Sequence, residues 1–192
     1  MPRTTDTRQR MLRSAGRLLR RQGYAATGWR QVVADSQTPW GSQAHHFPGG
    51  KEQLTSEALV LAGARYERLL RSGLAGTHPA DFVEAWAAIA ATELESSAFA
   101  DGCPIATTAL ETAHSSDLLS NSCASVFAGW HAALAEAIDT RGVPGPEAGQ
   151  LATLVLAAVE GGLLLARAKR DAEPLRTVGQ ELASLLRARV PA

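Results

Sequence analysis

Residues 27–51 read TGWRQVVADSQTPWGSQAHHFPGGK and decide the fold of the N-terminal part of the chain. Trp29, Val32 and Val33 follow the i, i+3, i+4 spacing, which predicts one apolar face on a helix. Thr27 comes just before this pattern, and we expect its hydroxyl to cap the helix by accepting a hydrogen bond from a backbone N–H. The segment is therefore predicted to begin with a short amphipathic helix.

A second helix is expected after a turn. Pro39 suits the first turn of a helix because it has no N–H to leave unpaired, so we predict a short helix over residues 39–46, anchored by Phe47. Gln37 stands at the corner between the two helices. A short polar helix held across a tight turn is typical of the helix-turn-helix, whose second helix enters the DNA major groove.

The segment ends in a glycine-rich corner at residues 48–50, followed by Lys51. We expect free N–H groups at this helix start, together with the lysine charge, to bind a DNA phosphate. A nucleotide-binding P-loop is excluded, because the first glycine of GxxxxGK would fall on His45 and the final Ser/Thr on Glu52.

Charge is distributed unevenly along the 192 residues, although the net charge is zero. Residues 1–54 hold nine Lys and Arg against three Asp and Glu, whereas residues 55–192 hold ten against sixteen. A basic head on an acidic body is expected when only one end meets phosphates; a solvated basic helix is the alternative. The flexible arm expected at residues 1–6 offers Arg3 as a candidate minor-groove contact.

The Ala- and Leu-rich composition and the apolar periodicity predict an all-α fold. We divide the chain into a helix-turn-helix DNA-binding domain at residues 1–50 and a helical ligand-binding and dimerisation domain at residues 51–192. Gly23 is expected to end the first helix. Counted with the helix that begins near Trp29, about nine helices are predicted, the others over residues 7–22, 39–46, 51–74, 81–97, 105–114, 117–140, 147–170 and 174–189.

A family resemblance extends over most of the chain. HHFPGGKEQL at 45–54, GCPIATTALE at 102–111 and AAVEGGLLLARAKRDAEPLRTVGQEL at 157–182 resemble the LmrA/YxaF-like branch of the TetR family. The N-terminal part resembles the DNA-binding domain of that family through Thr7-Arg8, Leu12, Ala15, Leu18-Leu19, Gly23-Tyr24, Thr27, Gly41-Ser42, His45-His46-Phe47 and Lys51-Glu52-Gln53-Leu54.

The resemblance implies a transcriptional regulator, expected to be a repressor. It would bind operator DNA as a homodimer and be released by a small hydrophobic or aromatic ligand in the C-terminal domain, with the helix at 51–74 as the mechanical link. The chain departs from the family pattern at Gln37, which replaces a glycine and must therefore adopt a strained backbone or reshape the turn. It departs also at Trp40, which replaces Lys or Arg, and at Gln43-Ala44, which replace an apolar residue and Tyr. A ligand-binding or scaffold protein with impaired DNA binding is therefore the alternative.

The predicted DNA contacts lie on or near the second helix. Gln43 is the expected base reader, because its amide can bond adenine at N6 and N7. Trp40 is expected either to pack on a thymine methyl or sugar, or to pack within the head. Phosphate contacts are expected from Thr27, Ser42, His46 and Lys51. The full set of candidates is Thr27, Arg30, Thr38, Trp40, Gly41, Ser42, Gln43, His45, His46 and Lys51.

The body carries two further candidate sets, each with ordinary core packing as its alternative. Small residues that let helices approach, with leucines between them, indicate a dimer interface at Ala157, Gly161, Leu164, Leu182 and Leu185. Aromatic side chains near a few polar ones indicate a ligand pocket, lined by Trp86, Ile89, Phe99, Cys103, Glu111, His114, Phe127, Trp130 and His131.

Other function classes lack their signatures. The sequence contains no GxSxG elbow, no GxGxxG fingerprint and no HExxH, so we expect no enzyme, no catalytic residues, no metal and no cofactor. Cys103 and Cys123 have no metal-ligand spacing, which indicates reduced thiols in the cytoplasm. No apolar run is expected to be long enough for a membrane, because Arg167, Lys169 and Arg170 close the leucines at 163–165.

Overall fold

The computed structural model describes residues 4–192, and within that range the chain forms nine α-helices and no strand. The predicted all-α fold is confirmed. The helices are α1 (Thr4–Ala26), α2 (Trp29–Ser36), α3 (Ser42–His46), α4 (Gly50–Leu74), α5 (Pro79–Ser96), α6 (Pro104–Thr112), α7 (Asp117–Asp139), α8 (Gly145–Lys169) and α9 (Glu173–Arg189).

The first helix differs from its prediction at both ends. It begins at Thr4, inside the arm expected at residues 1–6, and the candidate contact Arg3 lies outside the described residues. Gly23 interrupts α1 with φ 80° and ψ −177°, and one further turn continues to Ala26. Because only glycine adopts this region readily, Gly23 ends the regular part of the helix as predicted.

Two compact units divide the chain. The first unit consists of Met1–Arg65 and Cys103–Phe127, and the second of Tyr66–Gly102 and Ala128–Ala192. The division differs from the predicted boundary after residue 50, because α6 packs against α1 and the first turns of α4 bury Leu54, Ala58 and Leu59. A division by function at residue 50 stays a prediction.

The second unit has its core between α5, α8 and α9 and the C-terminal part of α7. α9 lies so close to α5 that a Cβ added at Gly179 would be 2.5 Å from the Cβ of Ala87. Leu182 and Leu186 of α9 are 5% and 0% exposed in this core. Close approach of the helices therefore needs glycine at position 179, and burial of the leucines stabilises the pair.

α8 corrects one expectation from the sequence. α8 has 25 residues, and the mean hydropathy of its most apolar 18-residue stretch is 1.7. By length and composition it is therefore apolar enough to cross a membrane. Arg167 and Lys169 do not prevent this, because they stand only in its last turn. A core helix passes the same test, and α8 does bury residues such as Leu151 and Val155 in the second unit.

Candidate functional site

α2 and α3 are connected by a tight turn that begins at Gln37. Gln37 has φ 52° and ψ 48°, in the left-handed region, and its N–H donates to the Ala34 carbonyl at 3.2 Å. This conformation costs an L-amino acid about 1–2 kcal/mol. The expectation of a strained backbone at Gln37 is therefore confirmed. The turn is held from inside by a 2.8 Å hydrogen bond between the hydroxyls of Ser36 and Thr38, both buried.

The two helix starts lie later than predicted. Thr27 is not the cap of α2: it is 2% exposed, its hydroxyl donates to the Gly23 carbonyl at 2.6 Å, and Gly28 is the N-cap. The Gln31 side chain supplies the capping contact, because its oxygen accepts from the Gly28 N–H at 3.1 Å. Pro39 does not begin α3; its carbonyl accepts the Ser42 N–H at 3.0 Å in a turn, and the helix starts at Ser42.

α2 is fixed to α1 by polar contacts beside its buried Val32. The Ser14 hydroxyl donates to the Val32 carbonyl at 3.3 Å, and Arg17 pairs with Asp35 at 2.6 Å. Hydrogen bonding to Ser14, followed by the contact with Arg17, lowers the pKa of Asp35. These contacts fix the position of α2, the first helix of the helix-turn-helix, against α1.

α3 is anchored by Phe47, as predicted. Phe47 is 1% exposed, with the Trp29 ring 6.1 Å from its own and the Arg8 guanidinium 5.2 Å from its ring centre. Arg8 also forms an ion pair with Glu57 of α4. Arg8 therefore connects α1, α4 and the end of α3, and it holds the short helix in a fixed position.

The predicted DNA contacts differ in exposure. Thr27 and Thr38 are buried and their hydroxyls are bonded internally, so a DNA contact by either hydroxyl would have to replace these bonds and stays a prediction. Trp40 is 55% exposed, so more than half of its surface faces solvent, and both the DNA contact and packing within the head stay predictions. Apart from these, Arg30, Gly41 and His45 are exposed, and Ser42, Gln43, His46 and Lys51 are half-buried.

Gln43 does not present its amide as expected for adenine reading. Its side-chain oxygen is buried, and among the described residues it has no hydrogen-bond partner. Bidentate reading of adenine needs the oxygen and the NH₂ together, so in this conformation Gln43 offers only half of that contact. Its neighbours Ala44 and His45 are the exposed side chains of α3.

The glycine-rich corner is also less open than predicted. The Gly49 N–H donates to the Gln53 side chain at 2.8 Å, and the Gly50 N–H donates to the Phe47 carbonyl at 2.9 Å. The N–H groups of Gly49 and Gly50 are therefore used within the protein. Gly50 itself has φ +73°, a conformation that favours glycine.

Lys51 is directed towards the end of α1. Its ammonium lies 4.1 Å from the centre of the Tyr24 ring and 3.4 Å from the Ala25 carbonyl. Burial lowers the pKa of Lys51, and the charge of Glu111 opposes that effect. A phosphate contact by Lys51 would have to replace these contacts, and such a contact stays a prediction.

Glu111 contacts the end of α1, although the sequence places it in a ligand pocket. Its carboxylate accepts a hydrogen bond from the Ala25 N–H at 2.6 Å. Gly23 permits this approach, because a Cβ at that position would be 2.0 Å from Glu111 Oε1. α6 is thereby attached to the turn that leads into α2.

The nine predicted pocket residues are divided between the two units. In the second unit Tyr66, which was not among the predicted residues, brings Trp86 and Trp130 together. The Tyr66 ring lies 6.1 Å from the Trp86 ring and 4.9 Å from the Trp130 ring. The Tyr66 hydroxyl accepts a hydrogen bond from the Trp86 Nε1–H. Phe82 stacks on Trp86 at 6.0 Å. Tyr66 stands on a helix assigned to the link, so no local pattern pointed to it.

The other predicted pocket residues of the second unit have varied surroundings. Ile89 is 61% exposed, and Phe99 has a left-handed backbone with φ 62°. His131 donates from Nε2 to the Gly149 carbonyl at 2.9 Å and so connects α7 with α8.

The remaining predicted pocket residues belong to the first unit, together with Glu111. Cys103 caps α6, with its sulfur accepting the Ala106 N–H at 3.5 Å, whereas His114 is exposed and Phe127 half-buried. Both Cys103 and Cys123 are free thiols, and burial raises the pKa of Cys123 to about 11. The sequence does not separate these residues from those of the second unit, because nearness along the chain does not fix packing.

α8 has an apolar face directed away from its core. Ala157 is exposed, Leu164 is 61% exposed, and open space surrounds the position where a Cβ would stand on Gly161. Leu185 of α9 is half-buried. Leu182 corrects the predicted dimer set, because it is 5% exposed and packs in the core of its own protomer.

These features define a helical protein whose N-terminal helix-turn-helix presents a short, exposed second helix. Residues 79–181 match the family model for the C-terminal domain of LmrA/YxaF-like transcriptional regulators. Among its relatives, the Bacillus subtilis regulator YxaF is 34% identical over 95% of this chain and 96% of its own length. The Bacillus subtilis regulator LmrA is 30% identical over 95% of this chain and 97% of its own.

The solved structures agree with these relatives. A TetR transcriptional regulator from Chloroflexus aurantiacus superposes with a TM-score of 0.80 and 29% identity, covering 99% of this chain and 98% of that one. The chain belongs to the TetR family of transcriptional regulators, in its LmrA/YxaF-like branch.

Proposed function

We propose that the protein is a cytoplasmic repressor that binds operator DNA as a homodimer and leaves it when a small hydrophobic ligand binds. The observation that carries this proposal is the head itself. α3 is held by the buried Phe47 while Trp40, Ala44 and His45 stay exposed. An exposed short helix on a basic head is the arrangement with which a helix-turn-helix reaches base edges in the major groove.

The homodimer is supported by the second apolar face of α8. Leu154, Leu164 and Leu165 are 45%, 61% and 53% exposed, and together with Ala157 and Gly161 they would lose water contact against a second copy. A helix-turn-helix dimer reads two half-sites about 34–36 Å apart, or a multiple of this distance. Pairing through α8 would therefore supply the second head that tight binding needs.

The ligand site is proposed at the aromatic cluster of Tyr66, Phe82, Trp86 and Trp130. Rings supply flat apolar surface that suits an apolar ligand. Because the Trp86 N–H already donates to the Tyr66 hydroxyl, an apolar ligand would not leave that N–H unpaired. A hydrophobic or aromatic compound fits this chemistry best.

Release is proposed to act through α6 as well as through the α4 link. α6 lies within residues 79–181, the matched C-terminal domain, yet it packs with the head in the first unit. The hydrogen bond from the Ala25 N–H to Glu111 connects α6 directly to the segment before α2. A ligand can shift the head only by its different affinity for the two states, so we expect this bond to differ between them.

The alternative function is a ligand-binding or scaffold protein of the same fold with impaired DNA binding. The buried oxygen of Gln43 and the strained Gln37 favour it. A gel shift against the DNA that flanks the coding region separates the two functions, repeated with a panel of hydrophobic compounds. Salt-sensitive binding that one compound abolishes supports the repressor; ligand binding without any DNA binding supports the alternative.

A further inference from the structure

Trp40 is a large aromatic side chain in the turn before α3, one residue before the N-cap Gly41 of that helix. It is 55% exposed, whereas the other tryptophans of the head and of the aromatic cluster are half-buried or buried. Single exposed apolar side chains are common on protein surfaces. Trp40 differs from such residues in its position, because it lies directly before α3, the helix proposed to enter the major groove.

The surroundings of Trp40 are poor in groups that read bases by hydrogen bonds. α3 has the sequence SQAHH and contains no Arg or Lys, the side chains that read guanine at O6 and N7. The oxygen of Gln43 is buried. Within residues 38–47, the exposed side chains other than His45 are those of Pro39, Trp40 and Ala44, and all three are apolar.

Ala44 extends the apolar surface of Trp40. Gly41 has helical angles, φ −69° and ψ −10°, so the chain turns as a helix directly after Trp40, and residues four apart on such a backbone lie on the same side. Ala44 is exposed. In the major groove the apolar feature of a base edge is the 5-methyl group of thymine.

We propose that Trp40, supported by Ala44, is a specificity-determining residue that contacts the 5-methyl group of one thymine in each operator half-site. The inference rests on the proposed DNA-binding function and goes beyond it, because it names the chemical group that is read. Sequence preference then comes from burial of a methyl group, which takes the place of the guanine contact that a Lys or Arg at position 40 would make. A half-site with cytosine at that position loses the contact.

The test replaces each thymine of the bound operator, one at a time, by deoxyuridine. This change removes the methyl group and keeps every base-pairing group. The parent protein should bind about fourfold more weakly when the relevant thymine of one half-site is replaced, as expected for one buried carbon. Trp40→Ala should bind the two duplexes equally. His45→Ala is the matched control, an exposed neighbour on α3 whose loss should keep the fourfold difference.

Failure of the inference and failure of the proposed function give different results. A parent protein that binds the operator with no deoxyuridine effect at any thymine overturns the inference and leaves DNA binding intact. The same holds if Trp40→Ala keeps the full effect. Absence of salt-sensitive binding to any duplex overturns the proposed function itself. Because Trp40 is exposed, circular dichroism and thermal unfolding of Trp40→Ala should match those of the parent.

Discussion

The carboxylate of Glu111 accepts a hydrogen bond from the backbone N–H of Ala25 at 2.6 Å, between residues 86 positions apart in the sequence. The contact is possible because Gly23, two residues earlier, has no side chain in the space that Glu111 occupies. Lys51 stands beside it on Tyr24 and the Ala25 carbonyl. α1, α4 and α6 therefore meet at one point next to the start of the helix-turn-helix.

Gly23→Ala should destabilise the protein by about 2 kcal/mol or more, because it adds a left-handed backbone cost and a clash with Glu111. Gly76→Ala is the matched control: Gly76 has φ +72° but open space around it, so only the backbone cost of about 1 kcal/mol applies. Urea unfolding measures both. In a Glu111→Ala background the excess cost at position 23 should shrink to what remains from the Thr107 methyl, which would lie 3.0 Å from the added Cβ. An excess of unchanged size would show that Glu111 is not what limits this site.

Gln37→Gly should stabilise the protein by about 0.5–1 kcal/mol, because glycine adopts φ 52° without strain. Gln180→Gly, inside the regular α9, should instead destabilise by about 1 kcal/mol. Equal destabilisation by both changes in thermal or urea unfolding would mean that the corner carries no strain.

Stability should fall as the pH decreases through the range where His46 is protonated. Burial, followed by repulsion from His45 and Arg8, lowers the pKa of His46. The unfolded chain therefore binds this proton more tightly than the folded protein does. The stabilising contribution is present above the ordinary pKa of about 6.5 and is lost as the pH falls through the lower, folded-state value.

Unfolding free energies between about pH 8 and pH 5 measure the effect in the window around that ordinary pKa. His46→Gln removes the titrating group, so its profile should be flatter than that of the parent. Two parallel profiles would assign the pH dependence to other groups.

Leu164→Glu should weaken self-association about a hundredfold by placing a charge in the proposed α8 interface. Its exposure of 61% predicts that the protomer still folds. Leu110→Glu on α6 is the matched control, since Leu110 is 78% exposed and lies outside that face. Sedimentation velocity of both variants checks this, and a Leu164→Glu protein that associates like the parent would move the interface elsewhere.

Local sequence patterns predicted what local physics controls. The burial of Phe47 followed from its place after the short helix. The strain at Gln37 followed from the family resemblance, in which a glycine stands at that corner. The cap at Thr27 was wrong because the adjacent Gly28 is the N-cap of α2 and the Gln31 side chain supplies the capping bond. Neighbouring residues compete for such roles, and composition does not decide which one prevails.

Contacts between residues far apart in the sequence could not be predicted from local sequence patterns. Nothing near Glu111 indicates Ala25, because the bond depends on the packing of α6 against α1. Leu182 of the amphipathic α9 and Leu164 of the apolar α8 are the same residue type, yet Leu182 is in the core and Leu164 is exposed. Periodicity identifies an apolar face, but it does not say whether the same chain or a second copy covers it.

The most direct test of the central claim is a fluorescence-anisotropy titration of the full-length protein with duplexes from its flanking DNA, at about 50 and about 200 mM salt. We expect one duplex to bind two protomers, with an affinity that falls about a hundredfold or more between these salt concentrations as phosphate contacts are lost. A protein that stays monomeric and binds no duplex in a salt-sensitive way would contradict the account.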